Sequence, residues 1–158
     1  MSKLEVRIVK LEPMRVASVY GFGKEPETEA VEKMNAYVER MGYFDNRGKH
    51  RIFGFNNPDP SPGSPNYGYE QWVIVGPEAE PEDGVRILGF DGGKYAVTRC
   101  EVLGGNYDVI GATWKKLVAW REDSKYKCGH YQWLEENVSV EGLAEGDFVL
   151  DLYLPIDG

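Results

Sequence analysis

The chain has 158 residues, 42% of them hydrophobic and 28% charged, enough for one globular domain or for two small halves sharing a core. Its net charge of -8, from 18 basic and 26 acidic residues, speaks against non-specific nucleic-acid binding, which needs basic patches that neutralise phosphates. No apolar run approaches the ~20 residues of a membrane span. The opening residues from Met1 to Glu5 carry no secretory stretch, and Cys100 and Cys128 form neither a disulfide framework nor a metal-type cluster. A cytoplasmic protein with free thiols and no membrane partner is expected.

In chain order, Leu4 to Val9 alternates apolar and polar residues and reads as a strand, and Arg15 to Phe22 reads as a second. A helix is expected over Glu27 to Met41, where Ala30, Val31, Met34, Tyr37, Val38 and Met41 fall at helical spacing. Glu27, Glu29 and Glu32 crowd its positive end, and Gly42 ends it. Arg51 to Phe55 is a short strand, followed by a proline-rich loop from Asn56 to Asn66, stiff enough to serve as a binding rim. Tyr67 to Val75 is the next strand, and residues 77–83 form an acidic connector.

The order then recurs. Gly84-Val85-Arg86-Ile87 echoes Glu5-Val6-Arg7-Ile8, and Lys94-Tyr95-Ala96-Val97 echoes Arg15-Val16-Ala17-Ser18. A second helix is expected over Tyr107 to Arg121, and a last strand over Phe148 to Pro155. Strand, strand, helix, strand appears twice, with an extra strand in the first half only. The expected fold is α+β: two βαββ-type modules, about 1–76 and 84–158, related by an approximate twofold. Their antiparallel strands carry the helices on one face and leave a central ligand groove on the other.

Two strands carry an acid with an aromatic residue two positions on: Glu70 with Trp72, and Asp151 with Tyr153. Side chains i and i+2 share a strand face. In the last strand Phe148, Leu150, Leu152 and Leu154 need burial under a helix, so Asp151 and Tyr153 lie on the opposite face, and Glu70 and Trp72 on the sister face. Phe53 and Phe55 share one face and line either the groove or the core. A carboxylate among rings suits a flat organic cation, because ring faces attract cations as well. The alternative for both acids is an ordinary strand residue paired with Lys or Arg across the ladder. Gly21-Phe22-Gly23 and Gly104-Gly105 are bend glycines rather than a dinucleotide fingerprint, and His50 and His130 have no metal-ligand spacing, so neither cofactor nor metal is expected.

Arg51 to Pro58, Tyr67 to Trp72, Gly93 to Val97, Tyr107 through Trp120 and Asp151 to Ile156, in that order, resemble the gyrase-inhibitor-like (GyrI-like) small-molecule-binding domain. This domain is also the effector-binding module of AraC-type and MerR-type regulators. The resemblance covers nearly the whole chain and implies a single domain of tandem modules that binds bulky, often cationic, aromatic compounds through an acid surrounded by rings. The expected ligand-binding residues are Glu70, Trp72, Asp151, Tyr153, Phe53 and Phe55. No DNA-binding module is expected ahead of Leu4, so direct contact with nucleic acid is not. The first functional reading is a stand-alone protein, monomer or homodimer, that sequesters or senses amphipathic cations. The second is a hydrolase of cyclopropane-bearing electrophiles, with Glu70 as general acid or base and Tyr153 donating to a developing oxyanion. The third is an acidic inhibitor of a DNA enzyme.

Overall fold

The computed structural model describes residues 4–43, 49–57, 63, 65–138 and 146–157. Within the proline-rich loop, Pro58 to Pro62 and Ser64 lie outside the described residues. The elements are β1 (Arg7–Leu11), β2 (Met14–Gly23), α1 (Pro26–Met41), β3 (Ile52–Asn56), β4 (Tyr67–Val75), β5 (Arg86–Phe90), β6 (Gly93–Val102), α2 (Asp108–Glu122), β7 (Lys127–Cys128), β8 (Leu134–Val138) and β9 (Phe148–Asp157). The class is α+β, as expected, and the pairings β1–β6, β2–β4, β2–β5, β3–β4, β6–β9, β7–β9 and β8–β9 are antiparallel.

The chain divides into two compact units, residues 13–91 and residues 1–12 with 92–158. In the first, β4 lies between β2 and β3, and β5 flanks β2 on its other side. In the second, β9 lies between β6 and β8, and β1 flanks β6. The units therefore repeat one plan, but the leading strands are exchanged: β1 precedes β2 in the chain yet pairs with β6, and β5 precedes β6 yet pairs with β2. The compact units thus differ from a cut at the acidic connector. The strand expected only in the first half has its counterpart in β8, which pairs with β9 as β3 pairs with β4.

In each unit the strands bury one face under the helix. In the first unit Ala17, Val19, Val73 and Val75 meet Met34, Tyr37 and Val38 of α1. Pro26 opens that helix with Glu27 and Glu29 in its first turn, where the missing proline N–H costs nothing and acids face the positive dipole end. Gly42 closes it at φ 75°, and its amide donates back to the Glu39 carbonyl at 3.2 Å. Val31 and Met41, expected on the buried stripe, are exposed at its margins. In the second unit Ala96, Cys100, Leu150, Leu152, Leu154 and Ile156 bury themselves with Leu117 of α2. The alternation within β4 and β9 follows: Val73 and Leu152 point to the helix, so Glu70, Trp72, Asp151 and Tyr153 occupy the other face.

Candidate functional site

Strand register assembles the surroundings of Glu70 on the face away from α1. Glu70 stands opposite Tyr20 of β2 and Phe55 of β3, while Trp72 stands opposite Ser18 and Phe53. Arg86 of β5 stands opposite Ser18. Phe53, Phe55 and Trp72 are all buried, and Glu70 is only 3% exposed. The rings form a wall: Phe55 meets Trp72 edge-on at 4.9 Å between centroids, and Phe90 of β5 lies 5.3 Å from Trp72. The sequence expectation that Phe53 and Phe55 share a face resolves to the face of the acid.

Burying a carboxylate among rings demands donors. Among the described residues, Glu70 Oε2 accepts from Ser18 Oγ at 2.6 Å and from Trp72 Nε1 at 2.7 Å, and Oε1 accepts from Asn57 Nδ2 at 3.3 Å. Both short bonds come from neutral groups. The cationic partner, Arg86, reaches Oε2 only at 3.4 Å, and its side chain is 65% exposed. Asn57 is held in place on three sides. Its amide donates to the Gly68 carbonyl at 2.8 Å, its carbonyl accepts from the Tyr20 hydroxyl at 2.7 Å, and its side chain meets Glu70. Gly68 permits this approach, since a Cβ there would collide with the Asn57 carbonyl and the Tyr20 hydroxyl.

Asp151, at the equivalent position of the second unit and 4% exposed, has different company. Opposite it on β6 stands Arg99 in place of the tyrosine. Arg99 Nε donates to Oδ1 at 3.0 Å, and Arg7 of β1 donates to Oδ2 at 2.8 Å. Both acid oxygens are thus met by guanidinium groups, and Asp151 in return holds the Arg99 guanidinium above its ordinary pKa. This is the cross-strand pairing that the sequence left open as the alternative. Tyr153, buried beside it, donates its hydroxyl to Glu136 at 2.6 Å and sits edge-on to Tyr95 at 5.5 Å. Sequence reasoning missed Ser18, Asn57, Arg86 and Arg99. The only trace of the pairing was the repeat, which set Arg7 and Arg86 at matching positions before their partners were known.

Within the described residues no group of His, Cys, Asp and Glu could hold a metal ion, and no helix is long and apolar enough to cross a membrane.

The fold is shared with several solved structures. The C-terminal domain of EcmrR superposes with a TM-score of 0.70 at 13% identity, covering 98% of each chain. In the EcmrR–DNA complex the match covers 97% of this chain but 57% of that one, so this chain spans little more than half of the longer protein. SAV2435, solved bound to tetraphenylphosphonium, matches with a TM-score of 0.56 at 9% identity, over 98% of this chain and 95% of that one. A hydrolase from Listeria innocua matches with a TM-score of 0.63 at 12% identity, over 99% and 94%. No curated protein matches the sequence. The family model described as Cass2, integron-associated effector binding protein, matches residues 7–156, and the GyrI-like resemblance holds: the chain belongs to this effector-binding family.

Proposed function

We propose that the protein binds amphipathic organic cations on the face of the first unit that carries Glu70. The observation that carries this reading is the state of that carboxylate. It is almost withdrawn from water and enclosed by Phe55, Trp72 and Tyr20, yet its short hydrogen bonds come from neutral donors and its cation is stretched and exposed. An acid so placed has only a loosely held cation against its charge, and ring faces beside it favour a cation further. Ser18 and Trp72 already occupy Oε2, so recognition rests on charge and ring contact more than on hydrogen bonds from the ligand. The net charge of -8 attracts cations from a distance. The tetraphenylphosphonium held by SAV2435 is a ligand of this kind.

Asp151, clamped by Arg7 and Arg99, serves in this reading as an ion pair that ties β1, β6 and β9 together, and Tyr153 serves to hold Glu136. The free thiols of Cys100 and Cys128 fit a cytoplasmic setting. The test is calorimetric titration with tetraphenylphosphonium and with tetraphenylborate, an anion of the same shape. The wild type should bind the phosphonium at least tenfold more tightly, and Glu70→Gln should weaken it about 10- to 100-fold, the loss of one close charge at an effective dielectric near 20 after desolvation is subtracted. Equal binding of both probes by the wild type, or unchanged phosphonium affinity in Glu70→Gln, rules the proposal out.

A further inference from the structure

We infer that Arg86 is a built-in competitor at this site: its guanidinium stands in for the ligand's cation and must leave Glu70 before an organic cation can bind. The inference rests on the reading of Glu70 as the anchor.

The two units supply an internal comparison. Each places an arginine on the strand flanking the central pair, Arg7 on β1 and Arg86 on β5, at matching positions opposite Val97 and Ser18. In the second unit that arginine is joined by Arg99, and the two meet Asp151 at 2.8 and 3.0 Å. In the first unit the place of Arg99 is taken by Tyr20, whose hydroxyl turns to the Asn57 carbonyl at 2.7 Å instead. Arg86 is then the lone guanidinium among the described residues at its acid, and it reaches only to 3.4 Å. Beyond 3.2 Å an N–H···O bond is weak, and a half-hydrated guanidinium loses little by swinging into water. Ser18 and Trp72 hold the carboxylate at 2.6 and 2.7 Å, so it keeps its place when Arg86 departs. A resident cation that is easily removed keeps the buried charge paired when no ligand is present. It also excludes neutral and anionic aromatics, which cannot take over the pairing.

The experiment compares tetraphenylphosphonium binding by the wild type, Arg86→Gln, Arg86→Lys and Arg7→Gln. Removing the competitor should tighten binding about two- to fivefold at low salt, the range expected for an exposed ion pair, with Arg86→Lys between Arg86→Gln and the wild type. Arg7→Gln makes the same change in net charge at the other acid and should leave the affinity as it is. In a Glu70→Gln background the Arg86→Gln gain should vanish, because the two residues act as a coupled pair. Affinity that is unchanged or weaker in Arg86→Gln, while Glu70→Gln still weakens binding, overturns the role of Arg86 and leaves the cation-binding reading standing. An equal gain in Arg7→Gln also overturns it, as a mere effect of net charge. Absence of binding by wild type and variants alike overturns both. The Arg86 side chain is 65% exposed, so its replacement leaves the core intact.

Discussion

Replacing Asp151 by Asn separates a structural acid from a ligand-binding one. The substitution keeps the shape and one acceptor oxygen but removes the charge that Arg7 and Arg99 face, and it turns an N–H2 donor toward one of them. Breaking a fully buried ion pair costs about 3–5 kcal/mol, whereas an exposed pair is worth about 0.2–1 kcal/mol. Asp151 is of the first kind at 5% side-chain exposure, but its arginines, at 57% and 52%, can turn to water once released. The expected cost therefore lies between the limits, at about 2 kcal/mol, which for a chain of this size is a fall in Tm of roughly 4–8 °C. Urea denaturation followed by circular dichroism reads the stability, and phosphonium titration of the same variant reads binding. The loss should shrink only slightly in high salt, because the carboxylate is shielded from solvent ions. The reasoning is refuted if Asp151→Asn stays within about 0.5 kcal/mol of the wild type, the ordinary scatter of a surface substitution. It is also refuted if the variant keeps its stability and loses ligand.

Trp72→Phe removes the indole donor that meets Glu70 Oε2 at 2.7 Å and leaves a gap beside Phe55 and Phe90; urea denaturation should show a loss of about 2 kcal/mol. Burial pushes the Tyr37 hydroxyl from 10.0 up to about 12. A raised pKa means that the folded chain holds its proton more tightly, so the stability it lends is complete below pH 10 and disappears as the pH rises to 12. Tyr95 is pushed up further, chiefly by burial, and acts in the same sense. An alkaline titration should show tyrosinate absorbance rising together with unfolding above pH 10, and Tyr37→Phe should retain more of its stability there.

Strand alternation was enough to set Glu70 with Trp72 on one face and Phe53 with Phe55 on one face, because side-chain direction has a period of two, but only the pairing of β3 with β4 put the two sets on the same side. The α1 helix was equally legible from its spacing and from Gly42. The partners of the acids were not. Alternation says which face a residue occupies but not which strand lies beside it, and register across distant segments is fixed by packing of the whole unit. The exchange of β1 and β5 between units is a fact of this kind: the likeness of Arg7 to Arg86 was visible, while the acid each one meets lies far along the chain, at 144 and 16 positions respectively. The β8 strand escaped notice because Glu135, Glu136 and Asn137 fill its middle, residues with poor strand propensity that tertiary pairing with β9 overrides.

The difference between the two acids reduces to one pair of equivalent positions, Tyr20 opposite Glu70 and Arg99 opposite Asp151. If that residue decides whether an acid is closed or open to a ligand, Tyr20→Arg should turn the first site into a copy of the second. The new guanidinium would stand across the ladder from Glu70, as Arg99 stands from Asp151, and with Arg86 it would meet the carboxylate from two strands. The cost is the Tyr20 hydroxyl bond to the Asn57 carbonyl, about 1 kcal/mol, offset by the new charge-assisted bonds. Stability should therefore stay within about 1 kcal/mol of the wild type while phosphonium affinity falls at least tenfold, since a ligand must now displace two cations from a filled carboxylate. Tyr20 is 36% exposed, so the longer side chain has room. Calorimetric titration beside a urea melt decides it. An unchanged affinity in a stable Tyr20→Arg variant would mean that the charge on Glu70 is not what holds the ligand, and the distinction drawn between the two units would have no functional content.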